Sequence, residues 1–131
     1  MSKKPLTENR TKADIVKELY FHSLTKAAHY LERHTHLVLI SKNSNFPRTQ
    51  RYYLCKQINE SVDKILTWSI RVKKGYSTRA ILQSLDIEID KVRYRIHECI
   101  ELKYITRKRG HYWCKRANEV GALVGKMINQ K

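Results

Sequence analysis

The chain has 131 residues, of which 41% are hydrophobic and 30% are charged, a balance typical of a folded globular protein and not of a disordered one. This length suits a single hydrophobic core and excludes two independent ones. Twenty-seven Lys and Arg residues against twelve Asp and Glu give a formal net charge of +15. Because such an excess destabilises a folded protein by self-repulsion, it predicts a polyanionic partner: a nucleic acid, an anionic membrane or an acidic protein. A merely solubilising charge is the alternative.

Membrane and export signals are not found in the sequence. No stretch of 18 consecutive apolar residues is present, and the first ten residues lack the apolar core of a signal peptide. The three cysteines, Cys55, Cys99 and Cys114, are odd in number and fall within helical patterns, as buried free thiols do in a reducing compartment. We therefore expect a cytoplasmic protein without a membrane partner.

The first predicted helix spans residues 12–41 and follows a charged stretch over residues 1–11 that we expect to be frayed. Leu24, Leu31 and Val38 recur at helical spacing and form one apolar stripe. This stripe predicts that one face of the helix lies against the core.

The second predicted helix spans residues 47–74 and follows a polar loop over residues 42–45. Pro47 suits a first helical turn, because its missing N–H would have no partner there. Gly75 suits the position just after a helix C-terminus.

Two further helices are predicted over residues 78–104 and 107–129. Either Ser77 or Thr78 can cap the first of them, and Thr106 can cap the second. Since only short connections separate the four helices, consecutive helices should pack antiparallel. The sequence thus predicts an all-α protein, an up-down-up-down four-helix bundle that forms one domain over the whole chain.

Catalytic and metal-binding motifs are missing from the sequence. It contains no Gly-rich phosphate loop, no GxSxG, no HExxH and no paired-cysteine zinc spacing. His22, His29 and His36 are seven residues apart, about 10.5 Å along a helix, too far to share one ion bound at about 2 Å. His111 and Cys114 could reach a common ion but lack two further ligands. We therefore predict a non-enzyme without metal or cofactor, and keep a metal-dependent enzyme as a rival hypothesis.

Basic residues cluster beside two of the predicted connections. Lys74 and Arg79 flank the loop between the second and third helices, and Arg107, Lys108 and Arg109 open the fourth helix. Cations at a helix N-terminus oppose the helix dipole, at a cost of a few tenths of a kcal/mol each. A phosphate backbone would explain why they are present, and chance placement in so basic a chain is the alternative.

The third helix carries the most informative charge pattern. With its apolar stripe facing inward, Arg93 and His97 lie together on one flank, and Lys91 and Arg95 project from the opposite side. This flank is a candidate docking surface. The alternative for Arg93 is an ordinary i, i+3 ion pair with Asp90, worth about 0.2–0.5 kcal/mol.

Two smaller patterns involve tyrosines and glycines. Arg48 and Arg51 precede Tyr52 and Tyr53, a mixture of cations and rings typical of single-strand binders, although tyrosines at a helix start also hold bundles together. Glycines at positions 121 and 125 in the fourth helix cost about 1 kcal/mol each relative to alanine. They predict that another part of the bundle, or another subunit, approaches this helix closely.

Four segments occur in this order along the chain: FPRTQRYYLCKQI, LDIEIDKVRYRI, ELKYI and NEVGALVGKMI. Together they resemble the accessory variability determinant (Avd) proteins of diversity-generating retroelements. FPRTQRYYLCKQI (46–58) is similar to the opening of that family's second helix, and LDIEIDKVRYRI (85–96) to its third helix. ELKYI (101–105) resembles the junction that follows, and NEVGALVGKMI (118–128) the closing helix. The resemblance covers about residues 30–131, and the N-terminal 25 or so residues have no clear counterpart.

The resemblance implies a four-helix bundle that assembles into a ring-shaped homopentamer with a basic, tapering channel. It implies partnership with the reverse transcriptase of the retroelement and with its template-repeat RNA and cDNA, so that the protein supports mutagenic cDNA synthesis while the transcriptase does the chemistry. By position, Arg93 matches a basic third-helix residue associated with binding nucleic acid and the transcriptase, and His97 occupies the family's second such position. The candidate binding residues are Arg93, His97, Arg95, Lys91, Arg48, Arg51, Lys74, Arg79, Arg107, Lys108 and Arg109.

The sequence departs from the family pattern in two places. Ala122 stands where a basic residue often follows the glycine, and Met127 stands where an aromatic residue is common. Two alternatives to the Avd function remain. One is a four-helix protein of the kind encoded by intervening sequences of 23S ribosomal RNA genes, and the other is a basic interaction module with an acidic protein partner.

Overall fold

Five helices make up the part of the protein that the computed structural model describes, residues 12–76 and 78–130, with the backbone alone over residues 13–22. No strand is found in these ranges, and the prediction of an all-α protein is confirmed. Residues 1–11, expected to be frayed, lie outside them. The helices are α1 (Lys12–Ile40), α2 (Arg48–Tyr52), α3 (Leu54–Lys73), α4 (Arg79–Glu101) and α5 (Arg107–Asn129).

The second predicted helix is divided at Tyr53. This residue has φ −109° and ψ −77°, and its N–H donates to the Gln50 carbonyl, which ends the single turn of α2. The Tyr53 carbonyl then accepts from the Gln57 N–H at 3.0 Å and so begins α3. The short α2 is therefore a separate lead-in to the long helix α3.

The third predicted helix ends at Glu101 and does not continue to residue 104. Lys103 adopts a left-handed backbone conformation with φ 62°, which no α-helix accommodates. The Tyr104 N–H turns back to the Cys99 carbonyl at 2.9 Å, so that the last carbonyls of α4 find donors. The chain then enters α5 at Arg107.

Threonine hydroxyls cap the N-termini of α4 and α5, as the sequence predicts. Thr78 Oγ1 accepts from the Ile81 N–H at 3.3 Å, and Thr106 Oγ1 accepts from the Arg109 N–H at 3.2 Å. Ser77, the alternative cap of α4, lies outside the described residues. Each such cap contributes about 1 kcal/mol.

The four long helices enclose one hydrophobic core. Helix α1 packs against α3 and α5, and α4 packs against the same two helices, so that each contacts two others in a closed bundle. Ile100 continues the apolar spacing of Ile89 and Ile96 on α4 and is only half-buried. None of the described helices is long and apolar enough to cross a membrane. The buried apolar residues that repeat at helical spacing include Leu24, Leu31, Val38, Leu54, Ile58, Val62, Ile65, Val72, Leu82, Leu85, Ile89, Val92, Ile96, Trp113, Ala117, Val120 and Val124.

The α1–α2 connection lies beside the α4–α5 connection. The Asn45 N–H donates to the Tyr104 carbonyl at 2.6 Å, and the Phe46 ring packs 5.5 Å from the Tyr104 ring. Arg51 Nη1 donates to the Leu39 carbonyl at 2.9 Å, near the end of α1. One end of the bundle therefore carries both connections.

A buried hydrogen-bonded chain joins α5 to α1. Trp113 is the largest fully buried side chain, and its Nε1–H donates to Thr35 Oγ1 at 2.9 Å. The Thr35 hydroxyl in turn donates to the Leu31 carbonyl at 2.7 Å. Since an indole N–H that is buried without an acceptor would be costly, this threonine is what allows a tryptophan in the core.

Replacing Thr35 by valine tests this chain. We expect Thr35→Val to lower the free energy of unfolding by about 1–3 kcal/mol, because the shape is kept while the Trp113 N–H loses its acceptor. Ser69→Ala is the matched control: Ser69 is equally buried, but its hydroxyl only donates back to the Ile65 carbonyl of its own helix. Urea denaturation of both variants measures the difference, and an equal, small effect of the two changes would contradict it.

Candidate nucleic-acid interface

Arg93 lies on the flank of α4 that faces α5. Its Nη1 donates to Asp90 Oδ1 at 2.6 Å, and its Nε donates to Asn118 Oδ1 on α5 at 2.7 Å. The side chain keeps 29% of its surface exposed. The i, i+3 pair that the sequence offered as an alternative is thus present, and a second bond fixes the guanidinium between two helices. His97, one turn further along α4, is exposed.

Gly121 provides the space that Arg93 occupies. A Cβ at this position would overlap the Arg93 guanidinium, so a side chain there would push the arginine aside. Gly125 has no neighbour within 4 Å of where its Cβ would lie. Within the described chain a close approach is therefore found at Gly121 and not at Gly125, and an arginine side chain makes it.

The opposite side of α4 carries Lys91 and Arg95. Lys91 Nζ lies 3.6 Å from Glu88 Oε2, and Arg95 Nη1 donates to Gln57 Oε1 on α3 at 2.8 Å. Arg95 Nε is buried and has no hydrogen-bond partner among the described residues. Arg95 is therefore largely committed to the α3–α4 contact, while Lys91 remains 45% exposed at its side chain.

The remaining predicted cations lie at the two ends of α4. Lys74 and Arg79 are exposed where α4 begins, and Arg107 and Lys108 are exposed just after it ends. Since α4 has 23 residues, about 34 Å of helix separates these groups. Arg48 is also exposed. It lies at the same end of the bundle as Arg107, because the α1–α2 and α4–α5 connections meet there. The structure thus distributes the predicted residues over both ends and both flanks of α4 and does not gather them into one patch.

A basic and aromatic groove between α1 and α5 was not predicted from the sequence. It has two adjoining compartments of about 280 and 590 Å³ that share His34 and Tyr112 as a common wall. We call it the α1–α5 groove. The first compartment is lined by Tyr30, Arg33, His34, Leu37, Tyr112 and Arg116, and the second by His34, Lys108, Arg109, His111, Tyr112 and Lys115.

Arg116 contacts both tyrosine rings of this groove. Its guanidinium carbon lies 5.9 Å from the Tyr30 ring centre and 5.3 Å from that of Tyr112. Nη2 donates to the Tyr112 hydroxyl at 2.9 Å, and Nη1 lies 3.2 Å from Glu119 Oε1. The His34 ring meets the Tyr112 ring edge-on, with the ring centres 4.9 Å apart. The two tyrosines are thus held in place although neither is buried.

Spacing in the sequence indicates the two helix faces that line this groove, although not the groove itself. Lys26, Tyr30, Arg33 and Leu37 repeat at three or four residues on α1, and Lys108, Tyr112, Lys115 and Arg116 do so on α5. Such spacing places them on one face of each helix. What the sequence does not state is that these two faces adjoin.

Burial and neighbouring charge keep His34 neutral. Partial burial lowers the pKa of His34 from its ordinary value of 6.5, and the positive charges of Arg116 and Arg109 lower it further. The imidazole is therefore neutral at pH 7, and offers one hydrogen-bond donor and one acceptor.

The lowered pKa of His34 predicts a loss of stability in mild acid. As the pH falls from 6.5 toward the lowered pKa, unfolded His34 takes up a proton that folded His34 does not, so the free energy of unfolding falls. We expect His34→Gln to reduce this pH dependence. His36→Gln, at an exposed site on the same helix, is the control for replacing an imidazole by an amide. Urea denaturation at a series of pH values measures both, and equal slopes for His34→Gln and the unmodified protein would contradict the assignment.

The described thiols and histidines form no metal-binding cluster. All three cysteines are free, and burial raises the pKa of each thiol, that of Cys99 to about 12. They are therefore protonated and poor nucleophiles at neutral pH. His29 and His36 are exposed, and the His22 side chain lies outside the described part. Among the described residues, no three His, Cys, Asp or Glu side chains could hold a metal ion together.

Comparison with known proteins decides the family. The model of the bAvd-like family matches residues 25–131, which is most of the chain and includes all the candidate residues above. The chain belongs to the bAvd-like family. The resemblance to Avd proteins is thereby confirmed, and the protein is an accessory protein of the Avd kind. No match was found among curated proteins or among solved structures.

Proposed function

We propose that this bAvd-like protein is a non-catalytic, cytoplasmic accessory factor of a diversity-generating retroelement. It binds the reverse transcriptase and the template RNA or cDNA through its basic surface and so supports mutagenic cDNA synthesis. The family match over residues 25–131 carries the proposal. The formal charge of +15 supports it, because it matches a polyphosphate partner. A neighbouring reverse-transcriptase gene with paired, nearly identical repeats would test the assignment directly.

We infer that the four long helices run alternately up and down. Residues that meet across α1 and α5 support this arrangement, since Tyr30 lies beside Arg116 while His34 lies beside Tyr112. The positions rise along α1 as they fall along α5, as they do in an antiparallel pair. On α4 and α5, Arg93 pairs with Asn118, and Ile100 approaches Gly110. Residue numbers again rise along one helix as they fall along the other, so these two helices are antiparallel as well.

We further propose that the bundles assemble into a homopentameric ring. Apolar side chains on the outer face of α4 support self-association, because Ile87 is 61% and Tyr94 is 77% exposed. They lie about one turn to either side of Lys91, so that the same face carries apolar area and charge. Light scattering of the purified protein measures the number of subunits.

Electrostatic contacts to phosphates would dominate binding. The exposed cations Lys74, Arg79, Arg48, Arg107 and Lys108 are free to meet a phosphate backbone, whereas Arg51 and Arg95 already donate hydrogen bonds within the bundle. Arg93 is intermediate: Asp90, its ion-pair partner, is about half exposed, so that a phosphate could take the place of the carboxylate.

Salt sensitivity is the first test of this mechanism. We expect the logarithm of the binding constant for RNA to fall linearly with the logarithm of salt concentration, by about 0.7 per phosphate contacted on a single strand and about 0.9 on duplex DNA. Filter binding at increasing salt measures the slope. If RNA is not retained even at low salt, the charge serves another partner, such as an acidic protein, and the proposal fails.

Replacing Arg93 tests the site itself. We expect Arg93→Ala to weaken binding of both RNA and the reverse transcriptase by about tenfold without unfolding the bundle, since the lost bonds to Asp90 and Asn118 are exposed. Lys64→Ala removes one exposed charge from α3 and is the matched control. Filter binding and co-purification with the transcriptase give the two readouts. Equal effects of the two substitutions would mean that Arg93 contributes no more to binding than any other exposed charge, and would contradict the assignment.

A further inference from the structure

The geometry points to the α1–α5 groove as a binding site for single-stranded nucleic acid, in which bases stack on Tyr30 and Tyr112 while the surrounding arginines and lysines bind phosphates. This inference rests on the proposed function, which requires that the protein bind nucleic acid. It adds a second contact surface, distinct from Arg93 and His97 on α4. On this surface bases stack on tyrosine rings, in addition to the contacts between cations and phosphates.

The two rings are placed as stacking surfaces. Tyr30 is 41% and Tyr112 is 47% exposed, although tyrosine rings gain stability when they are covered. Arg116 contacts both rings and donates to the Tyr112 hydroxyl, so the tyrosines are ordered before any ligand arrives. Stacking a base on an ordered ring costs less conformational entropy than stacking it on a ring that binding must first order.

The charge around the rings matches a polyanion. Each of the two compartments is lined by at least two arginines or lysines, and none of the residues that line them is acidic. Lys26 adds a further cation 5.9 Å from the Tyr30 ring centre. Glu119 is the acidic group beside this set, and it is paired with Arg116. When a base stacks in the groove, the cations of the two compartments would therefore be within reach of the phosphates on both sides of that base.

One polar group in the groove lacks a hydrogen-bond partner, and a second can bond to a base edge. Arg109 Nη1 is buried without a hydrogen-bond partner among the described residues, which is a costly state for a guanidinium donor. Arg109 lines the larger compartment, where a phosphate or base oxygen could accept from it after a small rotation of the side chain. His34 stands between the compartments, and its neutral ring can donate to or accept from a base edge.

These features favour a single strand over a duplex or an acidic peptide. In a duplex the bases are stacked on one another and cannot cover the faces of Tyr30 and Tyr112. An acidic peptide would satisfy the cations but would not cover the exposed parts of the two rings and of Leu37. Unpaired bases use the rings, the apolar wall and the cations together.

The experiment compares three labelled ligands by fluorescence anisotropy: single-stranded oligothymidylate, an abasic strand with the same number of phosphates, and a duplex. We expect the double variant Tyr30→Leu/Tyr112→Leu to bind oligothymidylate about tenfold more weakly, as expected when base stacking is lost, and to bind the abasic strand nearly as the unmodified protein does. Tyr112→Phe keeps the ring and should bind oligothymidylate within about twofold of the unmodified protein.

Tyr76→Leu is the matched control, because Tyr76 is 61% exposed and lies next to the start of α4, away from the groove. If the groove variant and Tyr76→Leu bind oligothymidylate equally well, the inference is overturned while the proposed function stands. The inference also fails if the double variant loses as much affinity for the abasic strand and the duplex as for oligothymidylate. If the unmodified protein binds none of the three ligands at low salt, the proposed function itself fails.

For each variant, light scattering measures the number of subunits and circular dichroism measures whether the helices form. A change in subunit number on replacing the tyrosines would assign the groove to contacts between copies of the chain and would overturn the inference. Should the double variant not fold, ultraviolet cross-linking of the unmodified protein to oligothymidylate decides the matter. Cross-links on peptides that contain Tyr30 or Tyr112 support the groove, and cross-links confined to other peptides contradict it.

Discussion

The hydrogen bond between Trp113 and Thr35 fixes how α1 and α5 meet. A fully buried indole needs an acceptor for its N–H, and Thr35 Oγ1 is that acceptor, 78 residues away in the chain. Because Tyr112 and His34 each precede one of these residues, the same register brings their rings together on the outside of the bundle. One polar contact inside the core thus sets the alignment of the surface groove.

The positive charge contributes little to holding the bundle together. The described residues contain three ion pairs, Lys91–Glu88, Arg93–Asp90 and Arg116–Glu119, and each joins residues three apart in one helix. Pairs of this kind contribute about 0.2–0.5 kcal/mol. The core, in contrast, consists of apolar side chains whose burial stabilises by about 1.5–3 kcal/mol each. Stability therefore comes from the interior, and most cations remain available on the surface.

The sequence predicts the parts of this fold that depend on local rules. The apolar stripes that contain Ile58 on α3, Leu85 on α4 and Val120 on α5 each follow the helical period. Thr78 and Thr106 occupy the caps that threonine favours. The break at Tyr53 and the early end of α4 carry no such signal, because each depends on a backbone conformation at a residue other than glycine or proline. The candidate cations are exposed or partly exposed, and their separation along α4 follows from helix length and packing, which no local pattern specifies. The groove depends on which helix faces adjoin, a matter decided by the core.

The missing side chain at Gly121 has a consequence for how such a chain tolerates mutation. The Arg93 guanidinium is the flexible end of a long side chain, so a methyl group at position 121 would displace it at small energetic cost. Alanine is also the better helix former, which offsets that cost further. A substitution there would consequently go unnoticed in thermal melting while changing the direction in which the arginine points. Purifying selection at this position would therefore act on ligand binding and not on the thermostability of the bundle.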